Sequence, residues 1–487
     1  MMRDRPSSPT GVSSRAVLAA AALILIWQLI LPPVVGVANN GDFIKLLGRY
    51  GLGTTDVFQH ANTRYTFNDS YRWESGYQSS ELLVIVPALA INRVLSKDGS
   101  FDIRIMGVLH GGLFLFALFL FVPLLDGTRR WAASTVCILA LALFGDFLYV
   151  GYLNTFYMDV PAYLFLLLGV VLYLRAIRWG RRWDTLGVVV CGILVATAKP
   201  QYAVLGLWIA CLAWWERDLL WPGRRRSAIF ACVVLVLAVA IDVRYFIPED
   251  YSATTTFNVI FKGTLPYSSR PDRDLAELGL DSSYRRWIGL TAFSAGSPLV
   301  DQAFVRSFMA RTSYRKLAFF YLRHPAAGWG SFLRTLDEAG RMRIPMGNFD
   351  VNSGQPALAE TRSFVAISDA KQRVFFHHGL RLFLSFVFLS ALFLTLLAWN
   401  RDRLPKGALA GGLVLAGISA TNLVVSAMAE VFDPTRHLLL FFAQYDVLLV
   451  ATAWLAFACA RARVSAPSPP PGSRPCESRA PAASGSD

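Results

Sequence analysis

Residues 104–125 read RIMGVLHGGLFLFALFLFVPLL, an apolar run whose only charge is at its first position. A helix rises ~1.5 Å per residue, so such a run crosses a hydrocarbon layer ~30 Å thick, which needs about 20 residues. Working outward, comparable runs occupy 16–36, 132–150, 160–178, 186–198, 201–215, 228–247, 380–398, 408–428 and 437–458. The composition agrees. Of the 487 residues, 54% are hydrophobic and only 16% charged, against about 25% charged in soluble domains. The expected fold is an all-α polytopic membrane protein with about ten transmembrane helices. The runs at 186–198 and 201–215 are short and predict a tight pair meeting at Lys199-Pro200-Gln201. Segment 81–95 (ELLVIVPALAINRVL), with Pro87 in its middle, reads as an interfacial or re-entrant helix.

Charge placement sets the expected orientation. With ten spans and an inner N-terminus, the inner segments carry Arg3, Arg5 and Arg15, then Arg129 and Arg130, then Arg175, Arg178, Arg181 and Arg182. Arg217, Arg224–Arg226, Arg401, Arg403, Lys406, Arg461 and Arg463 follow on the same side, while the short outer loops hold only Lys199 and Arg436. Short cytoplasmic loops gather Lys and Arg in this way. Counting 81–95 as a span would destroy the bias. The domains expected are a cytoplasmic N-terminus (1–15), a transmembrane module (16–247) with an outer loop at 37–103, a mainly helical outer segment (248–379), the last spans (380–458) and a disordered cytoplasmic tail (459–487). Two helices are expected in the outer segment, at 301–323 and 326–340. Gly36-Val37-Ala38 offers small residues before Asn39, but the run at 16–36 is long for a cleaved leader and predicts a retained anchor.

The net charge of +14 does not point to nucleic acid. Much of it is topological, and the 16 Lys/Arg of 248–379 are interspersed with 12 acids, a mixed surface rather than a stripe. The six cysteines lie in spans or in the tail, with no metal-ligand spacing.

Polar groups at a membrane face are costly unless used, which selects the candidates. Asn39-Asn40-Gly41-Asp42-Phe43 puts a carboxylate where the chain leaves the first span; a turn capped by Asp42 is the bland alternative. Asp159 precedes Val160-Pro161 in a short loop without basic residues, where helix capping would also explain it. Lys199 and Arg436 break the charge bias and are fixed cations suited to a lipid phosphate, although Lys199 could snorkel and Asp433 could neutralise Arg436. His110 reads as a satisfied core histidine or a proton relay, and Asp242 with Arg244 as an ion pair. Trp73 and the nearby tyrosines suit a sugar face or a membrane interface.

Taken together, an acid after the first span, a second acid before a Pro atop a later helix, and a large outer segment resemble the GT-C glycosyltransferases. The strings NNGDF (39–43), YLNTFYMDVP (152–161), FYLRHP (320–325) and MGNF (346–349) look like a bacterial surface-glycan hexose transferase group within them. The resemblance runs from 16 to 458. It implies a polyprenyl-phosphate sugar donor, a glycan or lipid-linked acceptor and an extracytoplasmic site in the inner or plasma membrane, with membrane lipids as further partners. Asp42 would be the general base, and Asp159 would position the acceptor, act as a second base or help hold a divalent cation; no cofactor is otherwise implied. Lys199 and Arg436 would take the donor phosphate, and Asn40, Asn154, Tyr157 and Trp73 would contact sugar or acceptor. The product would be inverted if displacement is single. An O-antigen-type polymerase or ligase, or a lipid-linked glycan flippase or transporter, is the competing expectation.

Overall fold

A computed structural model describes residues 14–73, 77–245, 249–429 and 431–464. The expected N-terminal segment before residue 14 and the tail after 464 lie outside the described residues. The helices that build the bundle and position the site are α1 (Ser14–Leu29), α2 (Leu82–Leu95), α3 (Arg104–Phe121), α4 (Arg130–Phe144), α5 (Phe147–Leu153), α6 (Asp159–Trp179), α7 (Arg182–Ala196), α8 (Leu205–Trp215) and α9 (Arg225–Tyr245). There follow α10 (Gln302–Arg311), α11 (Tyr314–Arg323), α12 (Pro325–Ala339), α13 (Ala366–Phe375), α14 (Gly379–Trp399), α15 (Ala408–Ala429) and α16 (Leu439–Val464). Each of the ten expected spans overlaps a helix, but α1 ends at Leu29, so the run expected to reach 36 is helical only over its first part.

Six of these helices are long and apolar enough to cross a membrane: α3 with its extension to Leu125, α6, α9, α14, α15 and α16. The pair α4–α5 makes a seventh if taken as one span, while α1 and α2 are shorter apolar helices. The protein is therefore a multi-pass helical membrane protein. At its centre lies α6, flanked by α7, α3 and α16 and buried over most of its length. Close approach is built in with glycine: a Cβ on Gly206 of α8 would come 2.7 Å from Val239 of α9 and 3.0 Å from Ala196 of α7. Small residues serve tight helix contacts in lipid in this way.

The run expected as one span at 132–150 is instead bent by 59° between α4 and α5. Asp146 causes the break. Its Oδ1 caps α5 by accepting from Leu148 N (2.9 Å), and its Oδ2 accepts from Ile367 N (3.1 Å) and Ser368 N (3.0 Å) at the start of α13. The helix gives up its own continuity to hold the segment that follows α12. Asp242 and Arg244 do not pair among the described residues; two positions apart on a helix they point to different faces, and Arg244 lies over the Tyr245 ring.

Two features were not expected. A small antiparallel sheet, β1 (Leu52–Gly53), β2 (Arg64–Phe67) and β3 (Ser100–Asp102), folds the first loop, with Tyr65 opposite Phe101. The helix expected over 301–323 is two helices, because Ser313 breaks it and caps α11, its Oγ accepting from Lys316 N. Residues 257–321 carry a core of their own, including Phe257, Phe261, Phe308 and Phe320, whereas α12 packs on α14 and α15.

Candidate active site

The segment after α1 reaches its place by strand-like pairing. Gly36 N and Ala38 N donate to the carbonyls of Asn348 and Gly347, each at 3.0 Å, so the 346–349 string clamps the 35–38 backbone. Gly347 is obligatory there, since a Cβ would sit 1.8 Å from the Gln59 carbonyl oxygen. The chain then turns at Gly41 (φ 95°), with Asn39 Oδ1 accepting from Gly41 N (2.8 Å) and Phe43 N (3.3 Å). Phe43 anchors the turn edge-on against Tyr157 (4.7 Å between centroids) and Phe156 (5.5 Å). Tyr65 and Phe101 of the sheet close on Phe156 from the other side. The NNGDF turn and the α5–α6 turn are thus one aromatic-cored unit, which holds Asp42 at the same end of the bundle as Asp159.

Six of the eight residues expected at a site converge here. Arg436, in the turn Pro434–His437, donates through Nη1 to Asp42 Oδ2 and through Nε to Asp433 Oδ2 (3.1 Å). Lys45 lies 2.5 Å from Asp42 Oδ1. The Arg436 guanidinium stands 5.0 Å from the centre of the Tyr157 ring, a cation–π contact. Tyr157 OH in turn donates to Ala38 O (2.7 Å) and accepts from Asn40 N (3.1 Å), and Asn40 Nδ2 reaches Asp433 Oδ2 at 3.4 Å. On the other flank, Lys199 Nζ is 3.2 Å from Asp159 Oδ1, which also accepts from Tyr202 OH at 2.6 Å. Asp159 Oδ2 is buried without a partner in the described structure.

His437 joins the two halves. Its Nε2 is 3.3 Å from Arg436 Nη2, and its Nδ1 lies 2.9 Å from Lys199 Nζ and 3.0 Å from Gln201 Oε1. A neutral imidazole has one donor and one acceptor nitrogen, so one tautomer accepts from Arg436 while donating to Gln201 and the other accepts from Lys199. Burial, with Lys199 and Arg436 beside it, keeps the ring well below its usual range and so uncharged. Against the upward push of burial, Arg436 and Lys45 hold the Asp42 carboxyl well below the ordinary carboxylate range. Burial pushes Asp433 up to about 6, Arg436 opposing and Asp42 adding to the rise.

Two expected residues do other work. Asn154 is buried inside the bundle, its amide donating to Leu29 O (3.0 Å) and Val35 O (3.1 Å) at the frayed end of α1. Trp73 is 41% exposed, and among the described residues no ring or hydrogen-bond contact links it to the cluster. His110 is a satisfied buried histidine: Nδ1 meets Leu153 O at 2.9 Å and Nε2 meets Glu81 Oε2 at 3.3 Å. Lys45, Gln201, Tyr202 and His437 were not singled out as site residues in the sequence. Gln201, Tyr202 and His437 adjoin residues that were, and adjacency to Lys199 and Arg436 was the signal available.

Among the described residues no group of three or more His, Cys, Asp or Glu is arranged to hold a metal ion. The cluster's carboxylates meet Lys45, Lys199 and Arg436 instead.

The fold and the site together define a multi-pass helical membrane protein with a connected row of acids and cations at one end of its bundle. A family model described as YfdI N-terminal transmembrane domain matches residues 5–466, and the chain belongs to that family. No curated protein and no solved structure matches the chain.

Proposed function

We infer that the protein is an extracytoplasmic-face glycosyltransferase that moves a hexose from a polyprenyl-phosphate donor to a glycan or lipid-linked acceptor. One observation carries the reading. Asp42 and Asp433 both meet Arg436, and Arg436 is joined through the uncharged His437 to the Lys199–Asp159 pair, so that acids and cations form a single connected row at one end of the apolar bundle. Transfer from a lipid phosphate needs these two kinds of group side by side. A carboxylate must take the proton of the attacking hydroxyl. A cation must meet the charge that grows on the departing phosphate, so that it leaves without being protonated. Lys199 and Arg436 serve the phosphate by exchanging part of their carboxylate contacts for it. The anomeric centre between them passes through an oxocarbenium-like state, and single displacement inverts its configuration. The segments around 346–349 and α12, which cover the row, select the acceptor. The positive-inside bias supports placing the row, and with it the chemistry, on the extracytoplasmic side of an inner or plasma membrane.

The test is direct. The purified protein in proteoliposomes is given polyprenyl-phosphate [14C]hexoses (glucose, galactose and mannose in turn) with glycan extracted from the source membrane. Label should move to glycan from at least one donor and from no nucleotide sugar. Movement of intact lipid-linked donor across the bilayer without transfer would replace this reading with that of a transporter.

A further inference from the structure

The row contains three carboxylates, and their geometry does not treat them alike. Both oxygens of Asp42 are taken, Oδ2 by Arg436 and Oδ1 by Lys45. Asp159 Oδ1 is held by Lys199 and Tyr202, and its Oδ2 is sealed in the interior. Asp433 differs. The Arg436 and Asn40 bonds both fall on its Oδ2. Its Oδ1 receives neither and is not among the sealed buried atoms; the side chain as a whole is 9% exposed.

The backbone singles out the same residue. Asp433 is left-handed (φ 55°, ψ 52°), a region uncommon for residues other than glycine. It adopts this directly before Pro434, where sterics push the preceding residue toward extended conformations. Conformations of this kind persist where the surroundings over-determine them, and they gather at working sites. Here the conformation turns the carboxylate back over Arg436 and toward Asn40.

We propose that Asp433, rather than Asp42, is the catalytic residue that takes the proton of the acceptor hydroxyl, with Asp42, Lys45 and Arg436 as the fixed frame around it. This rests on the glycosyl-transfer reading of the row. In the step, the hydroxyl oxygen bonds to the anomeric carbon as its proton passes to Asp433 Oδ1. The bond from that carbon to the phosphate oxygen breaks, and its electron pair leaves with the phosphate, whose charge Lys199 and Arg436 meet. The electrostatic surroundings agree. A base works best when it titrates near the operating pH, and Asp433 is pushed up to about 6 whereas Asp42 is held far down. Pairs of acids whose surroundings drive them apart mark the division of roles at a site.

The groups facing Asp433 are Arg436 on its own turn, Asp42 after α1, Tyr152, Tyr157 and Asp159 at the α5–α6 turn, and Lys199 from the α7–α8 turn. From the covering segments, α12 reaches this turn through the Glu338 carbonyl, 3.5 Å from Thr435 Oγ1, and residues 258–264 reach it through Gly263 against Val431.

The experiment is the pH profile of kcat/KM in the proteoliposome transfer assay. Wild type should lose activity in acid with an inflection near 6. Asp433→Asn should lower kcat by ~10²–10⁴-fold, the range for loss of a general base, and leave residual activity without that limb. Asp433→Glu should recover part of the activity and the limb. Asp42→Asn should keep the limb but move it to lower pH by on the order of one unit, since a like charge is gone and Arg436 turns wholly to Asp433. An intact limb in Asp433→Asn, or a limb erased by Asp42→Asn, overturns the assignment. If Asp433→Asn fails to insert, the direction of the Asp42→Asn shift decides alone. If wild type transfers from no polyprenyl-phosphate hexose, the glycosyl-transfer reading falls and the assignment with it. Transfer with the wrong profile sinks only the assignment.

Discussion

Lys199 and Asp159 form an ion pair inside the bundle: Nζ lies 3.2 Å from Oδ1, and neither side chain is more than 2% exposed. Lys199, one of the two outer cations expected to meet a lipid phosphate, is therefore already engaged by a carboxylate. Removing one member of a buried pair strands the other, at a cost of about 3–5 kcal/mol. Lys199→Ala should lower thermal stability by that order, and adding Asp159→Leu to a Lys199→Met background should recover most of it. Thermal unfolding in detergent, followed by tryptophan fluorescence, reads this. Wild-type stability in Lys199→Ala would restore a purely ligand-binding role to the lysine.

Gly107 and Asn154 are fitted to each other. A Cβ on Gly107 would come 2.1 Å from Asn154 Oδ1, while the Asn154 amide holds the Leu29 and Val35 carbonyls. Gly107→Ala should therefore destabilise the protein. Asn154→Ala should do so by a different route, leaving two buried carbonyls without a donor at about 1–3 kcal/mol each. The double variant should cost less than the sum, because the clash disappears with the asparagine. Additive losses in a double-mutant cycle would show that the two residues do not meet.

The covering segment is fastened by a buried charge. Lys371 of α13 contacts both oxygens of Asp446 at 2.6 Å, and Tyr149 OH donates to Asp446 Oδ2, also at 2.6 Å. Lys371→Met should free α13 and raise the rate of proteolytic cleavage between residues 341 and 378, while Lys371→Met with Asp446→Leu should slow it again. Cleavage no faster than wild type in the single variant would locate the fastening elsewhere.

Two groups of the row carry opposite pH signatures. His437 is held well below its usual 6.5. Below pH 6.5 the unfolded chain takes up a proton that the folded one refuses, so stability present above that value is lost on acidification. Asp433, raised from 3.8 to about 6, binds a proton when folded that the unfolded chain lacks. Its contribution is fully present below 3.8 and is lost as pH rises through about 6. Between pH 7.5 and 5, His437→Gln should flatten the fall in Tm relative to wild type, and Asp433→Asn should steepen it. Identical slopes in the two variants would contradict the burial that underlies both.

Much of this protein was legible because its chemistry is one-dimensional. Apolar runs with basic flanks mark spans, and a charge standing just past such a run has little reason to be there unless used; hence Asp42, Asp159, Lys199 and Arg436. What escaped was three-dimensional. The break at Asp146 depends on backbone amides 221 and 222 residues away, which no local pattern displays. The resemblance implies that Asn154 contacts sugar or acceptor, but the amide donors that would serve a sugar are given to the buried Leu29 and Val35 carbonyls. Lys45 carries no signal of its own in the sequence; its role is set by the carboxylate it meets, that of Asp42.

Asp42 and Arg436 stand 394 residues apart in the chain, yet each acid of the row also has a cation from its own hairpin or the next. Asp42 has Lys45 three residues on, Asp433 has Arg436 three residues on, and Asp159 has Lys199 forty residues on, in the neighbouring hairpin. During synthesis, then, Asp42 and Asp433 each reach the bilayer surface with a cation three residues on, while Asp159 gains Lys199 once the next hairpin has followed, so none of the three has to wait for the C-terminal hairpin to be neutralised. Arg436 and His437 have only to lock together portions that entered the membrane separately.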